Sequence, residues 1–369
     1  MANLSDLLGG AVSNVEDVET VTSSSSDPAV DTNPTATGHL WINTTSGEVY
    51  VCTDATSGSN VWTNVGDGAD AVEPDYAWGE RGLWAGGNGN NVTVQRIDYV
   101  TISSTGNAST FGNYSPYPAK YNVGGLSGSS RGLFYGGEGG GATNDIQYIT
   151  FSSTSNSTFF GDMVTAGYAK AGLSDVTRGI ICGDNSSSYS NVMQYVTISS
   201  TGNTTDFGDL TVGRFHMDGV NDLTRGVIMG GEASGGSESD RMDFVTIAST
   251  GNASTFGSLY TGQRMVGCVS SSTRGVLAGG VSSSTTTNII QYITIASTGN
   301  SSDFGDLHVA DYSRSGNENG TRGLFGGGNG VQSVGLSQID YITIASTGNA
   351  ADFGDLTIGR GGTGSCSGD

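Results

Sequence analysis

One phrase recurs six times along these 369 residues, and internal repetition of this length constrains architecture more than any local pattern does. Its first half reads ERGLWAGG from Glu80, SRGLFYGG from Ser130, TRGIICGD from Thr177, TRGVIMGG from Thr224, TRGVLAGG from Thr273 and TRGLFGGG from Thr321. Its second half reads IDYVTISSTGN, IQYITFSSTSN, MQYVTISSTGN, MDFVTIASTGN, IQYITIASTGN and IDYITIASTGN. The arginines Arg81, Arg131, Arg178, Arg225, Arg274 and Arg322 therefore recur every 47 to 50 residues.

Inside a unit the apolar residues alternate, as in Tyr341-Ile342-Thr343-Ile344-Ala345, and β-branched and aromatic residues dominate. That period of two predicts strands. Gly-Gly ends one strand, Ser-Thr-Gly-Asn makes a turn whose Gly accepts positive φ, and a Phe-Gly-Asp-Leu strand follows. With the short strand ahead of each Arg-Gly, a unit supplies four antiparallel strands. The 61 glycines and a charged fraction of 13% suit this turn-rich design and argue against a helical or α/β enzyme.

A four-stranded unit of this size cannot bury both faces alone, which predicts an all-β, six-bladed β-propeller. From about residue 72 to 369 the order of features resembles kelch repeats, with Phe where the fourth strand of that family usually carries Trp. The resemblance implies the fold and says little of function. The first unit lacks its innermost strand, and the chain ends on residues 360–369, which match the segment from Arg264 to Thr273. The C-terminal residues are expected to complete the first blade of a propeller spanning 67–369.

Twelve of the 14 basic residues sit at two repeat positions. One is the Arg-Gly arginine; the other, just before each first strand, holds Lys120, Lys170, Arg214, Arg264, Arg314 and Arg360. Both sets are expected to bridge neighbouring blades by pairing with carboxylates such as Asp206, Asp209, Asp303, Asp306, Asp352 and Asp355; the alternative is an anion site on the axis. Connections 2-3 and 4-1 share one face of such a disc, and they alone vary between units. That face is the expected binding surface, around Tyr117, Tyr121, Phe215, His216, Tyr260, Arg264, Tyr312 and Arg314, whose aromatic and cationic groups suit a saccharide or a protein. Sequons such as Asn203-Thr204-Thr205 are read as turn chemistry, and the four separated cysteines as reduced and buried.

Residues 1–80 hold 13 acids and no Lys or Arg, which marks a separate module. Residues 1–37 read as an anchor segment, with Leu4, Leu7 and Leu8 suited to one helical turn, followed by a linker. Residues 38–66 read as a small β module with a hairpin around Thr44 to Gly47. The stretch Gly38-His39-Leu40-Trp41-Ile42-Asn43-Thr44, continued by Glu48-Val49-Tyr50-Val51-Cys52-Thr53-Asp54 and Trp62, resembles segments near the amino termini of tail-fibre and other virion proteins of tailed bacteriophages. The Gly-rich repeats are similar to those of phages of marine cyanobacteria. The resemblance implies a virion location after assembly in host cytoplasm, other virion proteins as partners of the N-terminal segment, and multi-copy assembly.

A net charge of -21 opposes nucleic acid as a partner, and no apolar run is long enough for membrane insertion. His39, His216 and His308 form no ligand cluster, no cofactor motif appears, and the Asp-box pattern of sialidases is absent. A non-enzymatic appendage is expected, with a tail fibre binding host-surface glycan or protein ahead of a purely architectural capsid or baseplate part; a polysaccharide-acting enzyme is the least favoured reading.

Overall fold

The computed structural model describes residues 21–66, except 33 and 35, and residues 78–368, except 91, 116–118, 186–188 and 331–333. The helical turn expected at Leu4, Leu7 and Leu8 lies outside them, as does Tyr117. The described residues contain strands and turns but no helix. The chain divides into two compact units, one ending at Asp75 and the other beginning at Tyr76.

The N-terminal unit is one small sheet of β1 (Val21–Ser24), β2 (Leu40–Asn43), β3 (Val49–Asp54) and β4 (Val61–Gly66). β2, β3 and β4 are antiparallel neighbours, while β1 runs parallel to β2. β1 lies inside the stretch read from sequence as anchor and linker. Four residues with one β-branched pair carry too little alternation to announce a strand, and its partner lies some fifteen residues on. The expected hairpin turn forms: Asn43 Oδ1 accepts from the amides of Thr45 and Ser46, and Gly47 takes φ 76°. His39, Trp41 and Trp62 pack edge to face.

The second unit holds six antiparallel sheets of four main strands each, one per repeat; the sheet of the Arg274 repeat carries one further two-residue strand, Val281–Ser282. The first comprises Gly364–Gly368, Arg81–Ala85, Arg96–Thr101 and Ser109–Asn113, so the C-terminal strand pairs with the Arg81 strand, Gly364 opposite Ala85 and Cys366 opposite Leu83. The other sheets run in chain order, their inner strands being Gly124–Ser127, Ala171–Ser174, Asp218–Asn221, Gly267–Ser270 and Ser315–Glu318. Each inner strand touches the inner strand of the next sheet, and the sixth returns to the first.

Six apolar clusters lie between successive sheets, such as Leu173, Ile180 and Met193 against Ile228, Val245 and Ile247. Every sheet is therefore buried on both faces, which is why its second strand reads as a nearly unbroken apolar run. A register shift recurs between the third and fourth strands, at Ile97/Asp98, Ile146/Gln147, Met193/Gln194, Met242/Asp243, Ile290/Gln291 and Ile339/Asp340. The extra residue in each fourth strand is the Phe of Phe-Gly. The bulge turns it inward, and it meets the third-strand aromatic edge to face at 5.9–6.2 Å between ring centroids.

Candidate functional site

The invariant part of each repeat is spent on joining sheets. The Asn of each Ser-Thr-Gly-Asn-type turn accepts, through Oδ1, the amide of a fourth-strand residue in the preceding sheet: Asn113 to Asn156, Asp162 to Asn203, Asp209 to Asn252, Ser258 to Asn300, Asp306 to Asn349 and Asp355 to Asn107, at 2.9–3.1 Å. The sequon asparagines are thus structural acceptors. Each Arg-Gly arginine lies over the third-strand aromatic of its own sheet, 4.4–5.2 Å from the centroid. It also donates to a backbone carbonyl of the next sheet: Arg81 to Phe151, Arg131 to Ser199, Arg178 to Ile247, Arg225 to Ile295, Arg274 to Ile344 and Arg322 to Ile102. Neighbouring sheets are bridged as expected, but by carbonyls rather than by the carboxylates of Asp206, Asp303 or Asp352. The sequence shows a cation repeated in every unit, whereas the acceptor, being main chain, has no sequence signature.

The second set of basic residues does not occupy one position. Strand pairing places Gly124, Ala171, Asp218, Gly267, Ser315 and Gly364 in register at the start of the inner strands. Counted back from them, Lys120, Arg214 and Arg360 stand four residues before the strand, Arg264 three, and Lys170 and Arg314 one. Five of the six are buried and paired with a carboxylate of their own sheet: Lys120 with Asp145, Lys170 with Asp184, Arg214 with Asp243, Arg314 with Asp340, and Arg360 with Asp98; Arg314 also pairs with Asp311, at the end of the preceding sheet's fourth strand. Arg264 alone is partly exposed, held by Glu232 at 2.6 Å and Glu238 at 3.6 Å. Arg314 is therefore core, as is Phe215, which stacks between Tyr189 and His216. Burial removes both from the candidate face.

What gathers instead is a backbone ring. Two residues before each inner strand, Asn122, Ala169, His216, Met265, Ser313 and Gly362 all adopt φ between 53° and 67°. This conformation aims each amide at the preceding sheet, and the amides of Ala169, His216, Met265, Ser313 and Gly362 each donate to the previous member's carbonyl. The Val123 amide closes the circuit on Gly362, all six bonds spanning 2.7–3.3 Å. These residues line an open cavity of about 560 Å³, counted out to its mouth.

One residue further out stand Tyr121, Tyr168, Phe215, Arg264, Tyr312 and Gly361. Backbone bridges tie five of them to the variable 2-3 loops: Tyr121 to Glu138, Phe215 to Glu232, Arg264 to Val281, Tyr312 to Asn329 and Gly361 to Asn88. The two sets of variable loops therefore meet around the cavity. Tyr121, Tyr168 and Tyr312 are half-buried. Burial and a hydrogen bond to Glu138 push Tyr121 up to about 12, and burial together with the Glu138 charge raises Tyr168, whose hydroxyl accepts from Asn185. Tyr189 donates to Glu232. His216, at the cavity, is pushed down to about 3 by burial and by Arg264, and neither ring nitrogen has a hydrogen-bond partner. Tyr260 is 71% exposed and lies in the bend just past the outer strand of the fourth sheet, Ser254–Ser258. Tyr189, Glu138 and Glu232 join the site without having been singled out from sequence, and Tyr168, one of the aromatic residues of the variable 4-1 loops, takes the place that aligning the units on strand register puts beside Tyr121, Phe215 and Tyr312.

No family model matches the chain, and no curated protein matches it.

Proposed function

We propose that the chain is a structural protein of a tailed-bacteriophage virion, with a six-bladed, kelch-like β-propeller displaying a host-binding face and an N-terminal segment that joins other virion proteins. The propeller reading draws on the closed circuit of inner-strand contacts, on the three six-membered sets of inter-sheet bonds and on the pairing of Gly364–Gly368 with Arg81–Ala85. The virion reading draws on the likeness of residues 38–66 to phage segments.

One observation carries the binding face: the variable loops converge on a rim of tyrosines and carboxylates, while the invariant turns are consumed in assembly of the sheets. The rim differs in charge from the sequence expectation. Its cation Arg264 is already shared by two carboxylates, and Glu138 lies between Tyr121 and Tyr168, so the charges of the rim favour a neutral ligand over an acidic one. Tyrosine faces and carboxylate acceptors suit a neutral, hydroxyl-rich saccharide, which stacks through its C–H face and donates through its hydroxyls.

The test is binding of purified protein to a glycan array and to host cells. Tyr121→Ala with Tyr312→Ala should lower binding at least tenfold, while Thr250→Ala in an exposed turn leaves it unchanged. Equal binding by all three proteins sinks the reading. Imaging of intact particles in which this face is covered by another virion protein would make it an assembly surface instead.

A further inference from the structure

The carboxylates around the inner strands come in two kinds. Asp98, Asp184, Asp243, Asp311 and Asp340 each face an Arg or Lys. Asp218 and Glu318 form no ion pair among the described residues, although both line one cavity enclosed by the inner strands. Asp218 and Glu318 are only partly exposed, and two unpaired carboxylates sharing one narrow channel repel each other, which a cation or protons between them would relieve.

Both acids reach the same inner strand, Gly267–Ser270, from opposite sides. Asp218, from the fourth sheet, accepts the Cys268 amide at 2.9 Å and its own neighbour Gly219 at 2.9 Å. Glu318, from the sixth sheet, accepts the Ser270 hydroxyl at 3.3 Å. Their anchor points are two residues apart on an extended strand, about 6.6 Å. Two calcium–oxygen bonds span about 5 Å. A single hard cation thus fits between the carboxylates with small side-chain adjustments. Ser127, Ser174, Asn221 and Ser367, at the same register as Glu318, add neutral oxygens around the channel.

An independent feature points to a ligand at the Asp218 end of this channel. The Tyr135 ring is 1% exposed, yet its hydroxyl has no hydrogen-bond partner. A Cβ on Gly124 or Gly172 would collide with that phenol, which places its tip between two inner strands, and Tyr135 lines the axial cavity together with Asp218. A buried hydroxyl without a partner is an unmet donor and acceptor facing the axis.

We propose that the axial channel binds one divalent cation of the calcium class between the Asp218 and Glu318 carboxylates, with channel hydroxyls and water completing its oxygen shell and Tyr135 bonding to that shell. Metals that favour sulfur and nitrogen are poorly served. Among the described residues no three His, Cys, Asp or Glu converge, and the Cys268 thiol packs in an apolar cluster where burial and the nearby carboxylates raise it well above its ordinary value. Flexible serine and carboxylate donors also suit calcium better than magnesium, which demands near-ideal octahedral geometry. The site ties the fourth, fifth and sixth sheets together at the axis and does not depend on the phage reading.

Full-length protein is stripped with EGTA at pH 8, then melted with and without calcium chloride, while bound metal is counted by elemental analysis and terbium(III) serves as a luminescent probe excited through tyrosine. We expect one calcium per chain, a rise in Tm on the order of 5 °C at about a hundred times the dissociation constant, and sensitised terbium emission that calcium displaces. Asp218→Asn and Glu318→Gln should each abolish the metal response yet melt in EGTA no lower than the wild type, since each removes an uncompensated charge. Asp206→Asn, at an exposed carboxylate, should leave the response intact. If wild-type protein melts identically with and without calcium and retains no metal, the proposal is overturned and the two acids hold protons only; undiminished binding by both channel variants overturns it equally, and the wild-type titration decides the matter even if a variant fails to fold.

Discussion

Changing Arg360 to Gln should destabilise the protein severely, and changing Asp98 to Gln as well should restore most of the loss. Arg360 is completely buried, and its guanidinium donates to Asp98 at 2.8 Å, to the Gly86 carbonyl at 2.8 Å and to the Trp84 carbonyl at 3.2 Å. Asp98, equally buried, also accepts the amide and hydroxyl of Thr357. Removing one partner leaves an uncompensated buried charge, which costs about 3–5 kcal/mol. The fifth sheet already contains the neutral solution. Gln263 and Gln291 occupy the equivalent positions, both fully buried, with Gln291 donating to Gln263 and Gln263 donating to the Gly279 carbonyl at 2.5 Å, just as Arg360 donates to Gly86. The double variant should therefore lie within about 1–2 kcal/mol of wild type, a coupling energy of at least about 3 kcal/mol. Urea denaturation followed by circular dichroism reads this directly: with a slope near 3 kcal/mol/M, Arg360→Gln shifts the midpoint down by roughly 1–1.7 M and the double variant recovers most of it. A double variant no more stable than the weaker single variant would refute the reasoning, because the pair would then hold its sheet through shape and not through charge balance.

Gly125→Ala should cost at least about 2 kcal/mol, because a Cβ there overlaps the Ser365 carbonyl of the adjoining inner strand, whereas Gly202→Ala, in an exposed turn with nothing within 4 Å, should stay within about 0.5 kcal/mol by chemical denaturation. Deleting residues 361–369 removes the inner strand of the first sheet and uncovers fully buried Leu83; a fall in Tm of more than about 10 °C, or insolubility, is expected, and a truncated chain melting like the full one contradicts the closure of that sheet. Burial drives Asp311 up to about 7 against the pull of Arg314, from an ordinary value of 3.8. A raised carboxyl contributes stability that is complete below about pH 4 and disappears as pH climbs towards 7. Asp311→Asn should flatten that decline in Tm measured across pH 4–7, and an identical pH profile for variant and wild type rejects the assignment.

The strands and their number per repeat were legible because alternation of Tyr, Ile and Thr and the Gly-Gly and Ser-Thr-Gly-Asn stops are local signals, readable along a single segment. The pairing of the C-terminal residues with the Arg81 strand was legible too, since the first repeat visibly lacked a strand that the last one offered. Repetition likewise announced that the Arg-Gly arginines and the turn asparagines serve every sheet. Their partners were hidden, because a backbone carbonyl or amide in the neighbouring sheet is the same atom whatever residue carries it. The second basic set misled for a related reason: Lys170 and Arg314 look equivalent to Arg214 and Arg360 along the chain, but hydrogen-bond register sets them three residues apart. That register also decides why Asp98, Asp243 and Asp340 accompany arginine, while Gln147, Gln194 and Gln291 accompany lysine or glutamine: third strand and pre-strand loop share one buried space, whose charge has to balance. Asp218 and Glu318 are departures from positions that elsewhere hold small residues or Asn, and only packing around the axis, where side chains from sheets a hundred residues apart line one channel, brings them together.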